Sequence, residues 1–183
     1  MVTMFDLISY DDGGRPRLSV KIEDTTPTLF KFFAIDVVKQ TANNRGTRGL
    51  FDVVDFDAGS DEYALFMDIM PQNYPGKGLD VRLMFTMTSA TSGNIDWTIE
   101  FERLAVADQD LDSDTFSTAI AVTDLDVPTT SGVIGLAEFS VTSGAAMDNV
   151  AIGDVFGFRV TRLGSADTAT GDAELVGIEI RGK

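Results

Sequence analysis

Residues 153–182 read GDVFGFRVTRLGSADTATGDAELVGIEIRG, and this stretch decides the fold. Phe156, Phe158 and Val160 recur at every second position, a small and polar stretch covers 163–172, and Val176, Ile178 and Ile180 resume the alternation. Apolar groups at period two set one face of an extended chain against a core, so both runs are predicted strands. The connection is too long for a two-residue turn. It suits strands on opposite sides of a sandwich as readily as a hairpin.

The same period returns upstream. Tyr63, Leu65, Met67 and Ile69 alternate, and a Pro- and Gly-containing loop, PQNYPGKG (71–78), follows. Next, Leu79, Val81, Leu83, Phe85 and Met87 face away from Asp80, Arg82, Thr86 and Thr88. The clearest amphipathic strand sets Ile95, Trp97, Ile99 and Phe101 against Asp96, Thr98, Glu100 and Glu102, which makes Trp97 a core residue. Residues 54–56, 119–122 and 136–141 add shorter runs, while 111–119 and 145–150 are the two segments open to short helices. About eight strand candidates separated by turns predict an all-β chain, an antiparallel β-sandwich of jelly-roll type.

Residues 1–49 are different. A DDGG turn at 11–14 leads to Arg15-Pro16-Arg17, a strand candidate at 18–22 and a Thr26-Pro27 turn. The aromatic run 29–38 carries Phe30 and Phe32 and reads as a strand; 41–49 reads as a loop with Arg45 and Arg48. The expectation is an N-terminal arm or set of extra strands over 1–49, a boundary near Gly49, and a sandwich domain over 50–183. Arginine and aromatic side chains are favoured at interfaces, so Arg15, Arg17, Phe30, Phe32, Arg45 and Arg48 are the candidate partner-binding residues. Burial of the aromatic run in the domain's own core is the competing reading.

Composition narrows the chemistry. The 183 residues contain no cysteine and no histidine, which removes disulfides, thiolate and Ser-His-Asp nucleophiles, and the usual zinc sites. No catalytic residue is assigned. There are 29 Asp+Glu against 14 Lys+Arg, a formal charge of −15, and most of the excess lies after residue 59. An anionic body of this kind repels nucleic acid, whose binding rests on Lys and Arg at phosphates. No apolar run is long enough to cross a bilayer, and the first residues lack the basic and apolar regions of a signal peptide, so neither membrane insertion nor secretion by that route is expected.

Two carboxylate constellations stand out. Asp108, Asp110, Asp112 and Asp114 alternate, and the first three match positions 1, 3 and 5 of an EF-hand loop. Ser113 and Ala119 then stand where that loop needs Gly and Glu, so a solvated acidic loop is expected, with a weak Ca²⁺ site as the alternative. Asp96, Glu100 and Glu102 share the wet side of the tryptophan strand. Paired carboxylates hydrolyse glycosidic bonds, but no oppositely placed acid accompanies them. Gly153-Asp154 and Gly171-Asp172 belong to no phosphate-binding pattern.

Taken in order, PQNYPGKG, Gly93 to Trp97 (GNIDW), Phe101-Glu102-Arg103, DLDSDTF (110–116), SGAAMD (143–148), Gly153-Asp154, 159–162, Asp167-Thr168 and TGDAEL (170–175) resemble β-sandwich structural domains of bacteriophages and prophages. The resemblance covers roughly 50–183. It implies a non-enzymatic virion protein without a cofactor, most simply a cement protein decorating the head surface. Its partners would be the major capsid protein and other copies of itself, a trimer being favoured by the threefold positions of icosahedral shells. The alternative is a tail or fibre module that binds host glycan or another virion protein.

Overall fold

The C-terminal alternation builds two different sheets. A computed structural model describes residues 26–41, 44–107, 110–112 and 115–183, and the backbone alone of 6–10, 16–20 and Asn44. The strands are β1 (Asp6–Tyr10), β2 (Pro16–Val20), β3 (Thr28–Phe32), β4 (Lys39–Gln40), β5 (Asn44–Arg48), β6 (Phe51–Phe56) and β7 (Asp61–Ile69). They continue with β8 (Gly78–Met87), β9 (Asn94–Leu104), β10 (Ile120–Asp126), β11 (Gly135–Thr142), β12 (Val155–Leu163) and β13 (Ala173–Gly182). The first sheet has the order β10-β9-β12-β7-β4, and the second β11-β8-β13-β6-β5, with β3 also paired to β13. Every pairing is antiparallel, and β1 pairs with β2 as a separate hairpin. The fold is a jelly-roll-like β-sandwich, as the alternation predicts, and 164–172 crosses from one sheet to the other.

The core lies between the sheets. Trp97 is fully buried, edge-on to Phe56 at 5.2 Å and tilted against Phe85 at 5.8 Å. At the other end Phe66, Phe101, Phe156 and Phe158 pack together with Phe30 and Phe32. Aromatic side chains contribute most of the apolar area that drives such packing.

The expected boundary near Gly49 falls inside a hairpin. Gly49 takes φ +64° in the turn between β5 and β6, whose residues pair from Arg48↔Phe51 to Asn44↔Asp55. Residues 44–48, read as loop, are thus an edge strand, and β3 and β4 are built into opposite sheets. Phe30 and Phe32 are core residues at 6% and 3% exposure, which removes them as contacts for a partner. The predicted strand over 29–38 stops at Phe32 because a single 3₁₀ turn follows, Ala34–Asp36, with the Asp36 carboxylate accepting the Phe33 amide at 2.7 Å. Of the two helix candidates, 145–150 contains one 3₁₀ turn, Ala145–Met147, and the described part of 111–119 has no helix.

One inward position breaks the apolar pattern. Arg162 follows Phe156, Phe158 and Val160 into the interior and is 0% exposed. Its Nε and Nη2 donate to the Asp167 carboxylate at 2.8 and 3.3 Å, Nη2 also to Ala169 O at 3.1 Å, and Nη1 to Phe56 O and Gly171 O, each at 3.0 Å. All five N–H donors of the guanidinium are used. A buried charge survives only when paired and hydrogen-bonded in this way, and here it fastens the crossover to β12 and β6.

Candidate functional site on the outer face of the first sheet

Alternation sends Thr98, Glu100 and Glu102 of β9 outward, together with Gly157, Arg159 and Thr161 of β12 and Tyr63, Leu65 and Met67 of β7. Register then aligns them in rows: Thr98–Thr161–Tyr63, and Glu100–Arg159–Leu65. Arg159 donates from Nε and Nη2 to the two Glu100 oxygens at 2.7 and 2.6 Å, a bidentate pair that fixes the plane of the guanidinium. The Phe116 ring lies over that plane, 4.2 Å from ring centroid to guanidinium carbon, and Tyr63 flanks it at 5.8 Å.

Phe116 reaches the sheet because the loop that carries it is clamped. Ser117 N donates to Phe101 O at 2.7 Å, and Phe101 N donates to Ser117 Oγ at 3.1 Å. Beneath the ring is Gly157, where an added Cβ would lie 3.6 Å from Phe116 and 3.5 Å from Leu65. Beyond it the face turns apolar: Met67, Leu104, Ala105, Leu111 and Val155 line a groove of about 280 Å³. Met67 and Leu111 are 43% and 73% exposed, so the groove opens to solvent. Polar fork, aromatic flanks and apolar groove form one surface.

The acidic loop runs past this groove. Asp110 accepts the Asp112 amide at 3.1 Å, an Asx turn, and both residues are exposed. Asp108 and Asp114 lie outside the described residues, among which no cluster of three metal-ligating side chains occurs. On the tryptophan strand, Glu100 is committed to Arg159, and Asp96 Oδ1 accepts the Asp124 amide at 2.7 Å.

Among the described residues, those singled out in the first forty-nine do not converge on one site. Arg15 lies outside the described residues, and the backbone of Arg17 pairs with Ser9. Arg45 is exposed and donates to Ile35 O at 3.2 Å. Arg48 is spent on its own fold: Nη2 donates to Met87 O at 3.0 Å and Ser131 Oγ at 2.8 Å, and Nε is 3.4 Å from the buried Glu174 carboxylate. Reading single strands missed Phe116 and the Arg159–Glu100 fork. The outward positions of Glu100 and Arg159 were visible in the alternation; their adjacency, and the placing of Phe116 beside them, were not.

No protein-family model and none of the curated proteins matches the chain. Solved structures do. A family GH115 4-O-methyl-alpha-glucuronidase with specificity for decorated arabinogalactans superposes with a TM-score of 0.51 at 7% identity, over 91% of this chain and 19% of that one. The C-terminal CBM6 of LamC, a marine laminarinase from Zobellia galactanivorans, gives 0.49 at 11% identity, covering 83% of this chain and 98% of the module. A CBM6 module of Cellvibrio mixtus lichenase 5A, solved with cellotriose, gives 0.46 at 8%, covering 86% and 99%. The likeness is one of fold. The chain spans about a fifth of the glucuronidase and nearly the whole of each carbohydrate-binding module.

Proposed function

We propose that the chain is a non-catalytic β-sandwich module that binds neutral glycan on the outer face of its first sheet. The observation that carries this reading is the Arg159–Glu100 fork with the Phe116 ring over its guanidinium and Tyr63 flanking it. A sugar ring presents an apolar C–H face edged with hydroxyls that both donate and accept. Such a ligand needs aromatic surface and fixed donors and acceptors side by side, the composition of a small-molecule site. Because the fork is already paired and rigid, little side-chain freedom is lost on binding. The charge of −15 disfavours polyanionic glycans. The carbohydrate-binding modules among the solved structures share the fold, and jelly rolls serve as lectin scaffolds.

Binding without turnover follows from the same residues. Glu100 is committed to Arg159, so it is not free to serve as one of the two carboxyls that glycoside hydrolysis places across the scissile bond. The resemblance to phage structural domains supplies the setting: a virion, with the module on tail or fibre. The head-surface reading, with the major capsid protein as partner, came from the same resemblance, with contacts through a sandwich edge or the N-terminal arm; of that arm, β3 to β5 are integral to the sandwich. A panel of neutral glycans presented to the whole chain tests the proposal. Wild type should retain at least one without hydrolysing it, and Tyr63→Ala should weaken retention about tenfold with the melting temperature unchanged. Retention unaffected by Tyr63→Ala, or none at all, would refute it.

A further inference from the structure

The outer face of the second sheet carries a pattern that the glycan reading does not use. Register places Lys31 of β3, Glu179 of β13, Arg82 of β8 and Glu138 of β11 in one row across four strands. Their charges alternate, plus, minus, plus, minus. Next to this row runs an apolar one: the Phe33 ring lies over Gly177, where an added Cβ would come within 3.2 Å of it, and Gly177 is followed by Met84 and Leu136. Phe33 and Leu136 are 52% and 44% exposed. On the other side of the charged row, Arg181 stands opposite Asp80.

We infer that this face is where two copies of the chain meet, about a two-fold axis parallel to the strands and centred between β13 and β8. Such an axis reverses each row and keeps its level, so residue i meets j and j meets i. The charged row read backwards is minus, plus, minus, plus. Lys31 therefore meets Glu138 of the second copy, Glu179 meets Arg82, and Arg181 meets Asp80. In the apolar row Phe33 meets Leu136, and Met84 packs against the Phe33 ring that covers Gly177. Two sheets packed face to face keep their strands within about 30° of one another, which preserves these pairs near the axis.

Charge favours this face over the rest of the surface. Two bodies of −15 repel, yet Lys31, Arg82, Arg181 and Lys183 are gathered here against Asp80, Glu138 and Glu179. The alternation complements itself across a two-fold axis, so it replaces the trimer expected from particle symmetry with a dimer.

Lys31 and Glu138 occupy opposite ends of the row and do not touch within one chain, so a charge-reversal pair tests the geometry on the whole protein. By sedimentation equilibrium the wild type should be a dimer. Lys31→Glu alone and Glu138→Lys alone should each weaken self-association tenfold or more, since like charges then face one another twice. An equimolar mixture of the two variants should restore the dimer, because every reversed charge again meets its opposite. As a second readout, a Phe33→Cys chain mixed with a Leu136→Cys chain should form a disulfide-linked pair that neither gives alone, the native sequence having no cysteine. A wild type that stays monomeric to about 100 μM, a trimer, or an oligomer indifferent to both reversals and to their mixing overturns the inference.

Discussion

Arg159 and Arg162 stand on one strand, three residues apart, in two regions with opposite logic. Around Arg162 the chain is closed: zero exposure, five donors on five acceptors, and an aspartate at 1% side-chain exposure as counter-ion. Around Arg159 it is open: the side chain is 29% exposed, two donors go to one carboxylate, and the rest of the setting is aromatic. The same residue type acts as scaffold in one place and as a prepared surface in the other. What separates them is the side of the sheet that alternation along β12 gives each.

The largest effect expected from that contrast is on stability. Replacing Arg162 by Met leaves Asp167 buried without its cation and three carbonyls without a donor, and should cost about 3–5 kcal/mol in urea unfolding. Arg159→Met, on the open side, should cost about 1 kcal/mol or less. Equal losses from the two would break the distinction between hub and surface.

A smaller effect concerns pH. Asp55 and Glu174 are cross-strand neighbours on the second sheet, and burial raises both carboxyls above their ordinary range. Asp172 adds to the rise of Asp55, Asp55 and Asp172 to that of Glu174, and Arg48 opposes both. A raised carboxyl means that the native chain keeps a proton the unfolded chain has released. Stability therefore declines as pH climbs from the ordinary carboxylate values through the raised ones. Glu174→Gln should flatten that decline in melting temperature followed against pH.

Asp154 runs the other way. Burial pushes its carboxyl up, but hydrogen bonds from Arg103 and the Ala151 amide outweigh it and hold the group low. Its contribution is present above the ordinary aspartate value and is lost as pH falls through the lowered one, so Asp154→Asn should shrink the acid limb by about 1 kcal/mol or less. Were both substitutions to act in the same pH window, this assignment of causes would fail.

Much of the scaffold was readable from alternation. Trp97, Phe156, Phe158, Ile178 and Ile180 have one inward face each, and burial follows from period two alone. The places where reading failed have physical reasons. The segment NRGTR, with its glycine and charges, looks like a loop, yet an edge strand tolerates a polar composition that a central strand would not. Phe30 and Phe32 looked ready for a partner because their cover, Phe66, Phe156 and Phe158, comes from strands far along the chain. Arg162 breaks the apolar period, and its only trace in the sequence is an aspartate five positions later.

The candidate site was less legible still. Glu100 stood out as an outward carboxylate, but Arg159 and Tyr63 become its neighbours only once three strands take their register, and Phe116 only once a loop folds back. A pattern within one strand reports which face a residue takes; it does not report what lies beside it.

Glycan binding on the first sheet is tested most directly by titrating isotopically labelled protein with a retained neutral glycan and following backbone amide shifts. Binding at the first sheet predicts that the largest shifts fall at Tyr63, Thr98, Glu100, Phe116, Arg159 and Thr161, with the row Lys31–Glu179–Arg82–Glu138 on the opposite face unmoved. Shifts centred on that row, or spread over the loops at the ends of the sandwich with the Arg159 face silent, would contradict it.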